Sequence, residues 1–347
     1  MNQSGVTGGR TAEVSSVWNP VVDVHAHFFP RISRGEGASL GSNGPWLRDD
    51  GDGTGQMMVG GREYRPVDAS LWDPDARVAG MDKHGVDVQV VSAAPLLFGY
   101  DADPAVAAPW AHLVNDRAIE MCASYPDRLR PLCQVPLQDV DRACAEVDWA
   151  MSEGHVGVHI GNHVGSRNLD DPEMVRFLSH CADGGIPVFV HPWETMAGDR
   201  MSTHMLSWLV GMPAESHLAI LSLVLTGAFE RLPADLRICF AHGGGSFVAQ
   251  LGRADNAWHR RDLVRADCPK PPSTYVERFY VDSAVFSDEA LRLLVAVMGY
   301  DRILLGSDAP FLLGEERPGA VVATSVHLDQ IQKRAILGEN AFEFFGL

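Results

Sequence analysis

Eight short apolar runs alternating with helical stretches predict an α/β fold, a distorted (β/α)8 TIM barrel with a small β-rich flap inserted after its first strand. Three observations carry that reading. The runs recur through the whole chain, the segments between them carry 3.6-residue apolar spacing, and several runs end in a polar residue. The runs are residues 21–28, 86–93, 128–136, 155–161, 186–192, 237–243, 279–284 and 303–308. Helical spacing shows in residues 110–124 and 174–183, and turn residues such as Gly85, Pro126-Asp127 and Gly184-Gly185 precede strands. A doubly wound open sheet is the competing architecture, but no G-x-G-x-x-G follows the first run.

The first run stops in a pair of histidines, His25 and His27. At i and i+2 of an extended strand both imidazoles leave the same face, within reach of one ion. The fifth run ends in His191-Pro192-Trp193, the sixth in His242 before Gly243-Gly244-Gly245, and the eighth in Asp308. In a barrel all strand C-termini point to one mouth, so these side chains converge although far apart in sequence. Three imidazoles and a carboxylate suit Zn²⁺ or a similar divalent ion, with a position left for water. If His25, His27, His191 and Asp308 are the ligands, His242 is left over as acid/base; polar caps on a purely structural barrel are the bland alternative. His159 lies inside the fourth run and reads as core, while His163, just past it, admits either reading. The fourth run ends without a lysine to bridge two ions, so one metal is expected. The glycines at 243–245 let backbone approach the site; a phosphate cradle there is the weaker reading, because nothing pairs with it.

Residues 31–72, rich in Gly, Asp and Ser, are too long for an ordinary βα loop and read as a flap over the barrel mouth, which keeps Arg65 as a site candidate. Arg253, Arg260, Arg261 and Arg265 lie along one helical stretch, which on its own reads as a solvated face. At 347 residues the chain has barrel length, and 46% hydrophobic with 21% charged residues is the composition of a globular protein with a large core. A formal net charge of −17 argues against nucleic acid or an anionic membrane as partner, but not against a small anionic substrate met by a few local arginines. Six scattered cysteines without C-x-x-C read as free thiols of a reducing, cytoplasmic compartment. No stretch reaches the roughly 18 uninterrupted apolar residues of a membrane span. The first 18 residues are polar, which points to a disordered tail at 1–18 and a single barrel domain over 19–347.

The histidine pair with His191, His242 and Asp308 resembles the amidohydrolase superfamily, and the ending ILGENA is typical of its non-hydrolytic, decarboxylating branch. The resemblance covers nearly the whole chain, through VDVHAHFFPRIS, RPVDASLWDP, GVDVQVVSAAP, CQVPLQD, HPWETM, WLVGMPAES, CFAHGGGSFVAQLGRADNAWHRRD and ILLGSDAPF. It implies a zinc-dependent, non-oxidative carboxy-lyase for an unsaturated dicarboxylate semialdehyde of tryptophan or 2-nitrobenzoate catabolism. Zn²⁺, with Co²⁺ or Mn²⁺ as substitutes, would be held by His25, His27, His191 and Asp308. His242 would deprotonate the metal-bound water, hydroxide would add to the diene, the adjacent carbon would be protonated, and CO₂ would leave; Asp308 counts with His242 among the catalytic groups. Arg65 would hold a substrate carboxylate, Trp208 and Phe311 would line the pocket, and Arg253 and Arg261 would reach the neighbouring site across a homodimer interface, which displaces the solvated-face reading for those two. Two departures, His204 and Ala309, stand where the resemblance leads one to expect an aromatic and a bulkier residue, and bear on the substrate. The competing readings are a dihydroxybenzoate-like aromatic acid as substrate, a diene hydratase or hydrolase on the same scaffold, and an inactive barrel serving as a binding protein.

Overall fold

The computed structural model describes residues 19–347; the tail expected at 1–18 lies outside the described residues. In chain order the strands are β1 (Val22–Phe28), the flap strands β2 (Pro45–Asp49), β3 (Thr54–Val59) and β4 (Arg62–Asp68), then β5 (Val88–Ala93), β6 (Leu129–Pro131) and β7 (Val158–Gly161). A two-residue ribbon, β8 (His163–Val164) and β9 (Arg167–Asn168), precedes β10 (Val188–His191), β11 (Ile238–Phe240), β12 (Tyr280–Asp282) and β13 (Ile303–Leu304). The long helices that alternate with the barrel strands are α1 (Pro74–His84), α2 (Pro104–Ala123), α3 (Val140–Ser152), α4 (Pro172–Asp183), α5 (Met212–Leu225), α6 (Phe247–Arg260) and α7 (Asp288–Met298), and α8 (Asn340–Phe345) ends the chain.

Each of the eight runs contributes a parallel strand. The strands pair as β1-β5-β6 and as β13-β12-β11-β10-β7. Backbone bonds join the two groups at both seams. Cys133 N–H donates to Gly157 O at 3.0 Å and His159 N–H to Cys133 O at 2.7 Å, linking the chain beyond β6 to β7. Val24 N–H to Leu305 O and Asp308 N–H to His25 O, both 2.8 Å, link β1 to the chain beyond β13. The eight strands therefore close, as the alternation of runs and helices predicts. The observed strands are shorter than the apolar runs because their ends leave the ladder. Pro131 and Pro136 have no N–H to donate, and residues 305–308 bond singly to β1.

Helix starts follow from local chemistry. Asp73, Asp103 and Asp171 each cap a helix that opens with proline, their carboxylates accepting from first-turn N–H groups, and α1 stops at Gly85 with φ 74°. Inside the barrel, Val22, Val24, Val88, Val90, Leu132, Phe189, Cys239, Ala241 and Leu304 pack in one cluster, closed at the base by Phe344 and Phe345 of α8. All six cysteines are free and five are buried; burial pushes the thiols of Cys181 and Cys239 up, which makes them packing residues. The helical stretch Ser207–Leu225 is long and apolar enough to cross a membrane, but it includes Glu215, and its inner face, Ala219, Ile220, Leu223 and Val224, packs into the larger cluster with Phe229, Phe240 and Phe247.

The 31–72 insertion forms an antiparallel three-stranded sheet in the order β2-β3-β4. Leu47 and Met57 sit in one cluster with Phe28, Phe29 and Trp72, which anchors the flap on the end of β1.

Candidate active site

His25, His27, His191, His242 and Asp308 meet at the C-terminal mouth of the barrel. His25 Nε2 stands 3.2 Å from His27 Nε2, and both face Asp308 Oδ1, at 3.4 and 3.2 Å. His242 Nε2 lies 3.6 Å from the other Asp308 oxygen, and the His191 ring centroid is 4.9–5.1 Å from those of His25, His27 and His242. One ligand atom from each of His25, His191, His242 and Asp308 falls within a 4.8 Å set. Five donors thus surround a position that needs four, and geometry alone admits either His27 or His242 to the ligand set.

The outer nitrogens explain why the inner ones point inward. His25 Nδ1 is bonded to Asp282 Oδ2 at 2.6 Å, His27 Nδ1 to Ser92 Oγ at 3.3 Å, and His191 Nδ1 to Pro192 O at 2.6 Å. Each bond to the outer nitrogen turns Nε2 toward the site, as in carboxylate–histidine–metal arrangements. His191 Nε2 is then a buried imidazole nitrogen with no hydrogen-bond partner. Burial holds His191 well below its ordinary range and His27 at about 4, so both keep a lone pair at neutral pH. Burial works to raise the Asp308 carboxyl, but hydrogen bonds from His242, His25 and His27 outweigh it and hold the group well below the usual range. At His25 the same contest runs the other way: burial lowers it, and the Asp282 and Asp308 carboxylates overcome burial and push it up to about 10. Two carboxylates, Asp282 and Asp308, beside the neutral imidazoles of His27 and His191 call for positive charge, and the orphaned ring nitrogen of His191 marks where it would bind. The residues fit a divalent ion.

The backbone at the site is strained at two of these residues. His242 and Asp308 hold φ of 56° and 62°, left-handed conformations uncommon for side-chain-bearing residues and typical of functional sites. The three glycines after His242 serve that turn and not a phosphate. Their N–H groups bond inward, Gly243 to Asp282 Oδ1, Gly244 to Ala241 O and Gly245 to His242 O, and a Cβ on Gly245 would sit 2.2 Å from Pro213 O.

Above the cluster opens a cavity of about 1150 Å³ lined by His27, His191, His242 and Asp308 below and by Arg65, Trp208 and Phe311 above. Its size accommodates a small organic acid with room to spare. Arg65 comes from β4, and its guanidinium carbon lies 4.7 Å from the Phe311 ring centre, 5.6 Å from Trp208 and 5.8 Å from Tyr64. Arg253 and Arg261 are exposed, on α6 and just after it, and do not line the cavity of their own chain. His159 is fully buried among Phe98, Phe189, His27 and His191, a core position beneath the site; His163 bonds Gly165 O and packs on Trp193, outside the cluster. His204 is exposed and outside the cavity lining, and Ala309 accepts from His27 N–H at the barrel seam, so neither departure touches the cavity. Sequence reasoning passed over Asp282, although it too is a polar residue ending an apolar strand, and Ser92, which has no such signal.

The family model described as amidohydrolase matches residues 22–347. The chain belongs to the amidohydrolase family. It is 39% identical to the 2-amino-3-carboxymuconate-6-semialdehyde decarboxylase of Dictyostelium discoideum, over 94% of this chain and 91% of that one. It is 31% identical to the enzyme of the same name from Caenorhabditis elegans, over 94% of each chain. The fold is shared with a dihydroxybenzoic acid decarboxylase from Polaromonas sp. JS666, solved with bound manganese and 2-nitroresorcinol, at a TM-score of 0.76 and 22% identity over 95% of this chain and 98% of that one.

Proposed function

We propose that this amidohydrolase is a metal-dependent carboxy-lyase that converts 2-amino-3-carboxymuconate 6-semialdehyde to 2-aminomuconate 6-semialdehyde without oxidation. The observation that carries the reading is the placement of a metal-fitting cluster at the floor of a cavity whose roof is an arginine held among aromatic rings, in a chain with 39% identity to a decarboxylase of that name. His25, His27, His191 and Asp308 would hold one ion per subunit, Zn²⁺ in the first instance, with Co²⁺ or Mn²⁺ able to replace it. When bound, such an ion polarises a water molecule and brings its deprotonation toward neutral pH.

The chain's own groups do the rest. His242, partly exposed to the cavity and within reach of Asp308, takes the proton from the attacking water as general base. The oxygen adds to the neighbouring carbon of the double bond, and the proton passes from His242 to the carbon that carries the leaving carboxylate; as CO₂ departs, the electron pair of the broken C–C bond reforms the double bond and expels the added oxygen as hydroxide. Arg65 clamps a substrate carboxylate, where a planar guanidinium matches a planar anion, and Phe311 and Trp208 flank the conjugated chain. A second copy of this chain would supply Arg253 and Arg261 to complete the anion site; their exposure, with no ion pair in their own chain among the described residues, supports that homodimer. A cytoplasmic location belongs to the same reading and is supported by six free cysteines.

The test is the loss of the semialdehyde's ultraviolet absorbance with capture of CO₂, on metal-loaded wild type and on His242→Ala. Rapid loss with CO₂ release by the wild type, and little by the variant, supports both the reaction and the base. No turnover by the metal-replete wild type sinks the substrate and moves the search to dihydroxybenzoate-like acids.

A further inference from the structure

Behind the histidine cluster a buried polar network crosses the seam where the first and last barrel strands meet. Asp23, two residues before His25, is fully buried on β1, and its carboxylate receives four donors. On Oδ1 these are His25 N–H at 3.2 Å and Ser307 N–H at 3.1 Å; on Oδ2 they are the Ser307 hydroxyl at 2.6 Å and the Gln89 amide at 2.9 Å. Gln89 Oε1 in turn accepts from Arg77 at 2.6 Å, and Arg77 also donates to the carbonyl of His27. Arg77, Gln89 and Ser307 are buried as well. The ends of the network land on, or beside, residues whose side chains face the site, His25, His27, and Ser307 next to Asp308, with Gln89 and Arg77 as the links between them.

We propose that Asp23 is a positioning residue for the metal site, a strut that fixes the distance between the His25–His27 pair and Asp308, with Arg77 balancing its charge through Gln89. The inference rests on the reading of the strand-end cluster as a metal site. A metal requires its ligands to be held within about 0.5 Å of their working positions. Across this seam the ladder is sparse: Val24 to Leu305, Asp308 to His25 and His27 to Ala309 are its backbone bonds. Asp23 adds two bonds from Ser307 at the point where the Asp308 loop begins.

The hydrogen bonds specify a carboxylate at 23. An amide of the same shape would set an N–H against the Gln89 amide N–H. If Gln89 turned over to accept, its amide nitrogen would face the Arg77 guanidinium, donor against donor. Asp23→Asn therefore breaks the network without leaving a cavity. Adding Gln89→Glu repairs it: the new carboxylate accepts from the new amide and from Arg77, and the negative charge has moved one residue along the chain of bonds.

The experiment measures Zn²⁺ affinity of the metal-free full chain by competition with a chromophoric chelator, alongside its melting temperature, for wild type, Asp23→Asn, Asp23→Asn with Gln89→Glu, and Ser307→Ala. The expected result is a loss of about 10–100-fold for Asp23→Asn, recovery to within about threefold in the double variant, and an intermediate loss for Ser307→Ala. Wild-type affinity in Asp23→Asn would overturn the proposal. So would a double variant that regains its melting temperature but binds Zn²⁺ as weakly as the single one, since the network would then serve stability alone. Should Asp23→Asn not fold, Ser307→Ala, which removes the hydroxyl's bond to Asp23 together with its contacts to Ala309 N–H and His25 O, decides in the same two directions. A wild type that takes up no Zn²⁺ would overturn the metal-site reading and the strut with it, whereas a binding wild type with unaffected variants removes only the strut.

Discussion

The floor and the roof of the cavity are built on different principles. On the floor, His25, His27 and His191 are buried on barrel strands, and each outer ring nitrogen is taken by a neighbour. In the roof, Arg65 is partly exposed on an inserted sheet and rests on Phe311, Trp208 and Tyr64, three rings from three separate parts of the chain. The floor is held by short, directional bonds inside a closed barrel; the roof is held by cation–π contacts, each worth about 0.5–2 kcal/mol and tolerant of movement. On the proposed function, the rigid barrel strands would carry the chemistry, which needs fixed geometry, and the inserted flap and segments over the mouth would carry the recognition, which can vary without disturbing it.

That contrast can be broken at either level. The largest effect is expected from His191→Ala, which removes the orphaned nitrogen: the protein should lose bound metal, seen by elemental analysis, and turnover with it. His242→Ala should keep its metal and lose about 10²–10⁴-fold in kcat, the usual worth of a general base. Loss of metal in that variant would move His242 into the ligand set, the alternative that the distances allow. Arg65→Ala should act on recognition, costing about 10–150-fold in kcat/KM for a substrate carboxylate, mostly through KM, with metal content unchanged. An equal fall in kcat would mean that the roof also takes part in the chemistry.

His155 separates burial from function. It is as buried as the floor histidines but lies outside the site, with Nδ1 on Ala150 O and Nε2 unpaired. Burial pushes it from the ordinary 6.5 down to about 4. Below pH 6.5 the unfolded chain binds a proton that the folded chain refuses, so stability falls between pH 6.5 and about 4, by about 3 kcal/mol in all. Denaturant titrations of metal-free His155→Gln should show a pH dependence shallower than wild type by that amount; an unchanged slope would place the acid sensitivity elsewhere. The smallest effect is expected from Trp208→Ala, a few-fold rise in KM from one lost cation–π contact.

The floor was legible in the sequence because its signal is local and repeated. Each of His25, His27, His191, His242 and Asp308 ends an apolar run, and strand ends in a barrel share one mouth. The same signal at Asp282 went unread because its run, 279–284, continues past it with Ser283 and Ala284. Ser92 and the Asp23 network were illegible for a different reason: they act through bonds between strands distant in sequence, which no spacing encodes. The roof was legible only as a length anomaly. An insertion too long for a loop announced the flap, but that Arg65 would be gripped by Trp208 and Phe311 depends on how three loops fold over the mouth. The left-handed backbone at His242 and Asp308 left no trace at all, since neither is glycine.

The seam between β1 and β13 also has a consequence for the order in which the protein matures. Asp23 and Ser307 bond across a separation of 284 positions, and the groups beside them, His25 and Asp308, come from the first barrel strand and from the chain just beyond the last. During synthesis the histidine pair emerges early and waits for most of the chain before Asp308 arrives, so the site cannot be assembled on a partial product. Contacts of such long sequence separation form late because loop closure must come first. On the proposed ligand set, a chain truncated before Asp308 would carry the histidine pair but no carboxylate to close the site.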